Sequence, residues 1–205
     1  MMRIETLRLS APTADYKMTL KYMRAGGSPD DRLVELAKSA AEHMRRICDY
    51  RVCYTRLPIC VSGDMTELCG QEIKSAYLSK HLAGCREVFA FAATLGSASE
   101  RFIRASASLS ALNELAADAA GSALIEALCD SLNEMLSEKA RLEGKTTLRR
   151  YSPGYGDFPL ETQRLFTDIL NTQKNIGAYL TDGLMMYPTK TVTAIIGIKD
   201  ERNDT

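Results

Sequence analysis

Two stretches of this chain carry residues suited to holding a charged small molecule. The first, Arg150-Tyr-Ser-Pro-Gly-Tyr155-Gly-Asp-Phe-Pro159, sets a guanidinium ahead of a Gly-Tyr pair in an Arg-x-x-x-Gly-Tyr pattern. A guanidinium is a planar fork of donors matched to a carboxylate. Gly154 has no Cβ and lets the backbone approach a ligand closely, and Tyr155 adds a ring that can cover one. A carboxylate of opposite charge lies at Glu126, at helical spacing from the small residues Ala119, Ser122 and Ala123. The second stretch runs Leu180-Thr-Asp-Gly-Leu-Met-Met-Tyr-Pro188-Thr-Lys-Thr-Val-Thr193 and reads as strand, turn and strand with a proline at the bend. Each of these residues also has a plain structural use. Arg150 can pair with a surface carboxylate, Pro153-Gly154 is an ordinary turn dipeptide, Tyr155 can pack on the core, and Glu126 can be a solvated helix residue. Met185 and Met186 can fill core gaps.

The elements that must position these residues follow from hydrophobic periodicity. Residues 2–10 alternate as an edge strand, and 13–24 read as a short helix ending at Gly26-Gly27. Ser28 is the expected cap of a second helix, with Pro29 at its first position and Asp30-Asp31 favouring the dipole, running to about Asp49. Val52 to Leu68 is strand-like, with a hairpin turn at Ser62-Gly63-Asp64. A helix at 73–83 precedes an apolar run at 87–96, short enough for a central strand. Helices at 97–108 and 110–142 follow, the second beginning in a Ser108-x-Ser110 cap region. Residues 143–159 form the one long irregular stretch, and such loops in a compact domain are commonly functional or disordered. A helix at 160–172, a strand near 177–180, the Met-Met-Tyr-Pro turn and a closing strand at 191–198 complete the order. The order β-α-α-β-β-α-β-α-α-α-β-β lacks regular βαβ alternation, so a single α+β domain with a largely antiparallel sheet and several helices fits best. Its N-terminal part spans about 1–72 and its tail 199–205.

Composition excludes several function classes. The 205 residues carry 26 Lys and Arg against 26 Asp and Glu, so no net field draws the chain to nucleic acid or an anionic membrane. No apolar run reaches the ~20 residues that span a bilayer, and the start resembles no signal peptide, so a cytoplasmic setting is expected. Six cysteines form no Cys-x-x-Cys, and the two histidines, His43 and His81, lie apart, so no metal site is expected. Neither histidine has a paired nucleophile, and no catalytic residue is expected. The Gly-x-Gly-x-x-Gly turn of doubly wound methyltransferases is absent.

In this order and spacing, the two stretches resemble the activation (reactivation) domain of vitamin B12-dependent methionine synthase, as a stand-alone member. The resemblance is strongest over about 75–198. It includes Lys80-His-Leu-Ala-Gly-Cys-Arg-Glu-Val-Phe-Ala-Phe-Ala-Ala-Thr-Leu-Gly96, Leu124-Ile-Glu-Ala-Leu128, the Arg150, Gly154 and Tyr155 motif, and Pro159. It implies that Arg150, Gly154, Tyr155 and Glu126 bind S-adenosylmethionine, and that a second loop with Asp182, Met186, Tyr187 and Pro188 faces cobalamin. The cobalamin would be presented by a partner, a B12-dependent methionine synthase lacking its own such domain, with a flavodoxin or ferredoxin as electron source. Nothing here resembles the other modules of that enzyme.

The chain departs from the family pattern at several points. The N-terminal segment with a ligand-contacting Asp has no evident counterpart in residues 1–30. Asp182 replaces a Glu, Thr191 and Thr193 replace serines, and Lys190 takes a small-residue position. These departures keep two alternatives open: service to another corrinoid methyltransferase, or an interaction module that no longer binds the ligand.

Overall fold

A computed structural model describes residues 3–13, 15–25 and 27–201. Met2 of the expected first strand, Gly26 and tail residues 202–205 lie outside the described residues.

The apolar run becomes β5 (Glu87–Thr94), flanked by β2 (Arg51–Ser62) and β9 (Thr191–Asp200). Every residue of β5 after Glu87 is buried, as a central strand covered on both faces requires. The sheet continues outward through β3 (Met65–Leu68) and β4 (Gln71–Lys74) on one side and β6 (Lys145–Thr147) on the other. β1 (Glu5–Arg8) pairs with β2 alone, and every pairing is antiparallel. The α+β expectation therefore holds.

Side chains alternate across the strands and feed two cores. Phe89, Phe91 and Ala93 of β5, with Ala194, Ile196 and Ile198 of β9, pack beneath the helices of one face. Val88, Ala90 and Ile195 point the other way, toward Leu78, Phe158 and Phe166. The first face is covered by α1 (Tyr16–Tyr22), α2 (Asp31–Ile47), α4 (Ser97–Ala107) and the 31-residue α5 (Ala111–Arg141). Ala116, Ala119, Ala120 and Gly121 keep α5 slim, so that α1, α2 and α4 all reach it. A Cβ at Gly121 would lie 2.9 Å from Cε of Lys190, so a larger residue there would make the lysine stem move. The second face carries α3 (Ala76–His81), α6 (Gln163–Leu170) and α7 (Thr172–Ile176), and a separate ribbon joins β7 (Tyr179–Leu180) to β8 (Met186–Tyr187).

Four expectations are corrected. The α2 cap is Asp30, whose Oδ1 accepts from the Leu33 N–H at 2.7 Å, rather than Ser28. Pro29 consequently precedes the cap. The helix expected at 73–83 starts only at Ala76, because Gln71–Lys74 pair with β3 and Ser75 provides the cap. The 143–159 stretch is less irregular than its composition suggests. It contains β6, and Tyr151 exchanges both backbone hydrogen bonds with Ile195, each at 2.9 Å. The turn before Pro188 spans Thr181–Met185, while Met186 and Tyr187 are paired strand residues.

The loop after β6 is held at several points. His81 Nε2 meets the Arg149 carbonyl at 2.8 Å, and the Tyr151 ring stacks between His81 and Phe158. Asp157 caps α3 from outside: Ser75 Oγ donates to its carboxylate, as does the Ala76 N–H at 2.7 Å. The Ser75 hydroxyl and these amides hold the Asp157 carboxyl below its usual 3.8. Its folded pKa is depressed, so this tether acts fully above the unfolded value and is lost as pH falls through the lower, folded one.

Two outcomes follow from these caps. Asp30→Ala should lower stability in urea unfolding by about 1 kcal/mol, while Ser28→Ala should leave it nearly unchanged. Asp157→Asn should speed amide exchange across residues 151–158 with the exchange of β5 unaltered. Equal speeding in both segments would mean that the tether supports the whole fold.

Candidate functional site

Alternation along the 147–151 segment decides where Arg150 points. Tyr151 turns toward Phe158 on the α3 and α6 face, so its neighbour crosses to the α5 face. There the Arg150 fork is divided between two carboxylates one helical turn apart. Nη2 lies 2.5 Å from Glu126 Oε2 and Nη1 lies 2.5 Å from Asp130 Oδ1. Burial opposes the Arg150 charge, but the hydrogen bonds to Asp130 and Glu126 outweigh it and raise its pKa. Beneath them Cys129 is shielded completely, and burial pushes its thiol up to about 12.

These groups form one wall of a cavity of about 570 Å³, a volume within the usual range for small-molecule sites. Asp130 and Asn133 of α5 line it together with Arg149, Ser152, Pro153 and Tyr155 of the loop. Thr191, Val192 and Thr193 of β9, Gln163 of α6 and an edge of Tyr151 complete it. Tyr155 is 65% exposed, and its ring stands at the rim where it can cover an occupant. Gln163 Nε2 donates to the Leu184 carbonyl at 3.2 Å, which couples the cavity wall to the second loop. Tyr22 of α1 faces the same region. Its phenol pKa is raised by burial and then by the Glu126 charge.

The structure brings together Arg150, Glu126 and Tyr155 and places the other candidates elsewhere. Gly154 adopts φ +91° and its N–H bonds the Phe158 carbonyl at 2.8 Å, so it serves the turn that shapes the loop. A Cβ on Gly154 would lie 3.2 Å from Leu160. Met186 is buried with Cys53, Leu170 and Ile176, whereas its neighbour Met185 is 62% exposed. Tyr187 packs against Tyr179 at 5.3 Å, Asp182 sits in the Thr181–Met185 turn, and Pro188 follows Tyr187 in a cis peptide. None of these four is in the cavity lining.

The room beside Glu126 has a different origin from the expected one. Ala119 belongs to the core, and Ser122 receives a hydrogen bond from Lys190 Nζ at 2.9 Å. The same ammonium pairs with Asp118 at 2.7 Å. Sequence reasoning passed over Asp130, Asn133 and Tyr22. The first was open to detection, since residues at i and i+4 share a helix face. Among the described residues there is no cluster of three or more metal-ligating side chains, and no helix is long and apolar enough to cross a membrane. All six cysteines are free thiols.

Comparison with known proteins places this geometry in a family. Residues 75–203 match the family described as vitamin B12 dependent methionine synthase, activation domain. No curated protein sequence matches the chain. Among solved structures, the crystal structure of the MetH reactivation domain bound to AdoHcy superposes with a TM-score of 0.67 at 16% identity. That superposition covers all of this chain and 80% of the other. At that identity it shows a shared fold. With more than half its length matched by the family, this chain belongs to the activation-domain family of vitamin B12-dependent methionine synthase.

Proposed function

We propose that this protein binds S-adenosylmethionine in the Arg150 cavity and supports, in trans, the reductive methylation of cobalamin on a B12-dependent methionine synthase that lacks its own activation domain. The observation that carries this reading is the half-buried Arg150 fork facing Glu126 and Asp130 inside a cavity of suitable size. The ligand of the similar solved structure, AdoHcy, is the demethylated form of this donor.

The donor set fits an amino-acid end group. Arg150 offers two parallel N–H groups to a carboxylate, and the paired acids of α5 offer oxygen to an ammonium. Two carboxylates beside one guanidinium leave a net negative charge, which suits a ligand carrying both an ammonium and a sulfonium. Cobalamin, bound by the partner, would supply the nucleophile that accepts the methyl group. Displacement of a neutral thioether from a sulfonium moves no proton, so a cavity without a general acid or base is adequate. The contribution of this chain is then positioning: Arg150 and the α5 acids orient the ligand, and Tyr155 limits water at the rim. A flavodoxin or ferredoxin would provide the electron.

The test of the site is calorimetric titration with S-adenosylmethionine. Arg150→Ala should weaken binding by roughly 2–5 kcal/mol, the cost of removing one partner of a buried charge pair. The exposed Arg149 should matter far less on conversion to alanine. Similar small losses from both would remove Arg150 from the site.

The test of function is turnover of a methionine synthase truncated before its activation domain, supplied with an electron donor and S-adenosylmethionine. Adding this protein should restore the methylated cofactor, and adding the Arg150→Ala variant should not. Ligand binding without restoration would direct the search to another corrinoid methyltransferase.

A further inference from the structure

The sheet ends at β4, whose outer edge pairs with no strand among the described residues. β4 joins β3 through the turn Cys69-Gly70, where φ is +53° and +77°. A two-residue turn with both φ positive makes its flanking residues, Leu68 and Gln71, a hydrogen-bonded pair. Bonded pairs then alternate, so Thr66 and Ile73 form the next one. The Ser75 N–H keeps the same rhythm, meeting the Asp64 carbonyl at 2.8 Å. The backbone groups of Glu72 and Lys74 therefore turn outward. Their side chains lie on the exposed face of the sheet, while Ile73 points into the core beside Leu68 and Leu78. On that exposed face Glu72 stands directly opposite Glu67 of β3. Like charges so placed destabilise an antiparallel pair, and no cation among the described residues pairs with either acid. Lys74 is 78% exposed and reaches only Asp64, at 3.9 Å.

We infer that β4 pairs antiparallel with β4 of a second copy of this chain, about a two-fold axis through Ile73. In that register Glu72 faces Lys74 of the partner subunit, and symmetry gives the reverse. The outward N–H and C=O groups of both residues meet their counterparts, and each Glu72 gains the cation that its own sheet withholds. The charge order Glu-Ile-Lys is self-complementary in this register alone. A shift of two residues sets Glu72 against Glu72 or Lys74 against Lys74, and a shift of one residue sets the apolar face against the charged one. Short edges that carry charge are usually guarded against pairing; here the same charges repel in neighbouring registers and attract in one. The contact is isologous, as closed dimers require. A four-residue edge offers less than the ~1,200 Å² of a standard interface, so the dimer is weak. β4 lies at the opposite side of β2 and β5 from β9, which lines the cavity, so pairing leaves both cavities open.

The experiment is sedimentation equilibrium of the full chain without ligand, over a range of protein and salt concentrations. The average mass should rise from one chain toward two as protein is concentrated, and salt should oppose the rise. Glu72→Lys alone or Lys74→Glu alone should weaken self-association roughly tenfold, because each change turns attraction into repulsion on both sides of the axis. An equimolar mixture of the two variants should associate again, since each then faces the opposite charges of the other. Recovery in the mixture also shows that both variants are folded. A wild-type chain that stays monomeric throughout would overturn the inference and leave the edge to a strand of another protein. A dimer indifferent to both substitutions uses another surface, and two variants that fail to recover on mixing do not meet through these charges; either result rejects the β4 contact. None of these outcomes bears on the proposed binding of S-adenosylmethionine, which calorimetry tests separately.

Discussion

A guanidinium half withdrawn from water must find its hydrogen bonds inside the protein, and around this requirement the site is arranged. Arg150 meets it through Glu126 and Asp130, carboxylates spaced by one turn of α5. The fork ties the long helix to the loop after β6, and the cavity opens beside that tie. An internal pair of this kind is a weak source of net stability, because desolvation offsets most of the attraction. Its consequence is selective: an incoming carboxylate must displace one acid from Arg150, and the freed acid is then available to a cation. An acid freed without a cation to meet it is left to solvent, since the Glu126 and Asp130 side chains are 39% and 64% exposed.

The fork can form only because the loop is fixed from the other side of the sheet. Tyr151 is bonded to Ile195 of β9, its ring lies between His81 and Phe158, and Asp157 caps α3. Hence Arg150, which reaches toward α5, is positioned by contacts that its neighbour Tyr151 makes with His81, Phe158 and Ile195. Period-two alternation carries that constraint through the sheet. The site is therefore a product of the two cores together, and the α3 cap belongs to its support as much as α5 does.

Within the family, this chain keeps the fold at 16% identity to the solved MetH reactivation domain. Such retention is physically ordinary, since a fold tolerates extensive hydrophobic substitution when patterning and volume are kept. Lys190 lays its stem over Gly121, and its ammonium pairs with the half-exposed Asp118.

Local pattern was enough for much of the architecture. The apolar run within 87–96 marked a central strand, the β2–β3 hairpin followed from Ser62-Gly63-Asp64, and the length of α5 followed from its unbroken periodicity. The Arg-x-x-x-Gly-Tyr spacing singled out Arg150, since side-chain chemistry is a property of the residue itself. Other features depended on distant partners. Asp30 rather than Ser28 is placed to accept from the Leu33 N–H, and β4 replaced a helical turn because β3 was beside it to supply hydrogen bonds. Met186 and Met185 are chemically identical neighbours, and only pairing with β7 sends one into the core and the other into solvent. Likewise, nothing local distinguishes Asn133 or Asp130 from any other polar residue on a long helix. Their place in the cavity wall comes from what the loop and β9 bring beside them, and long-range packing alone decides that.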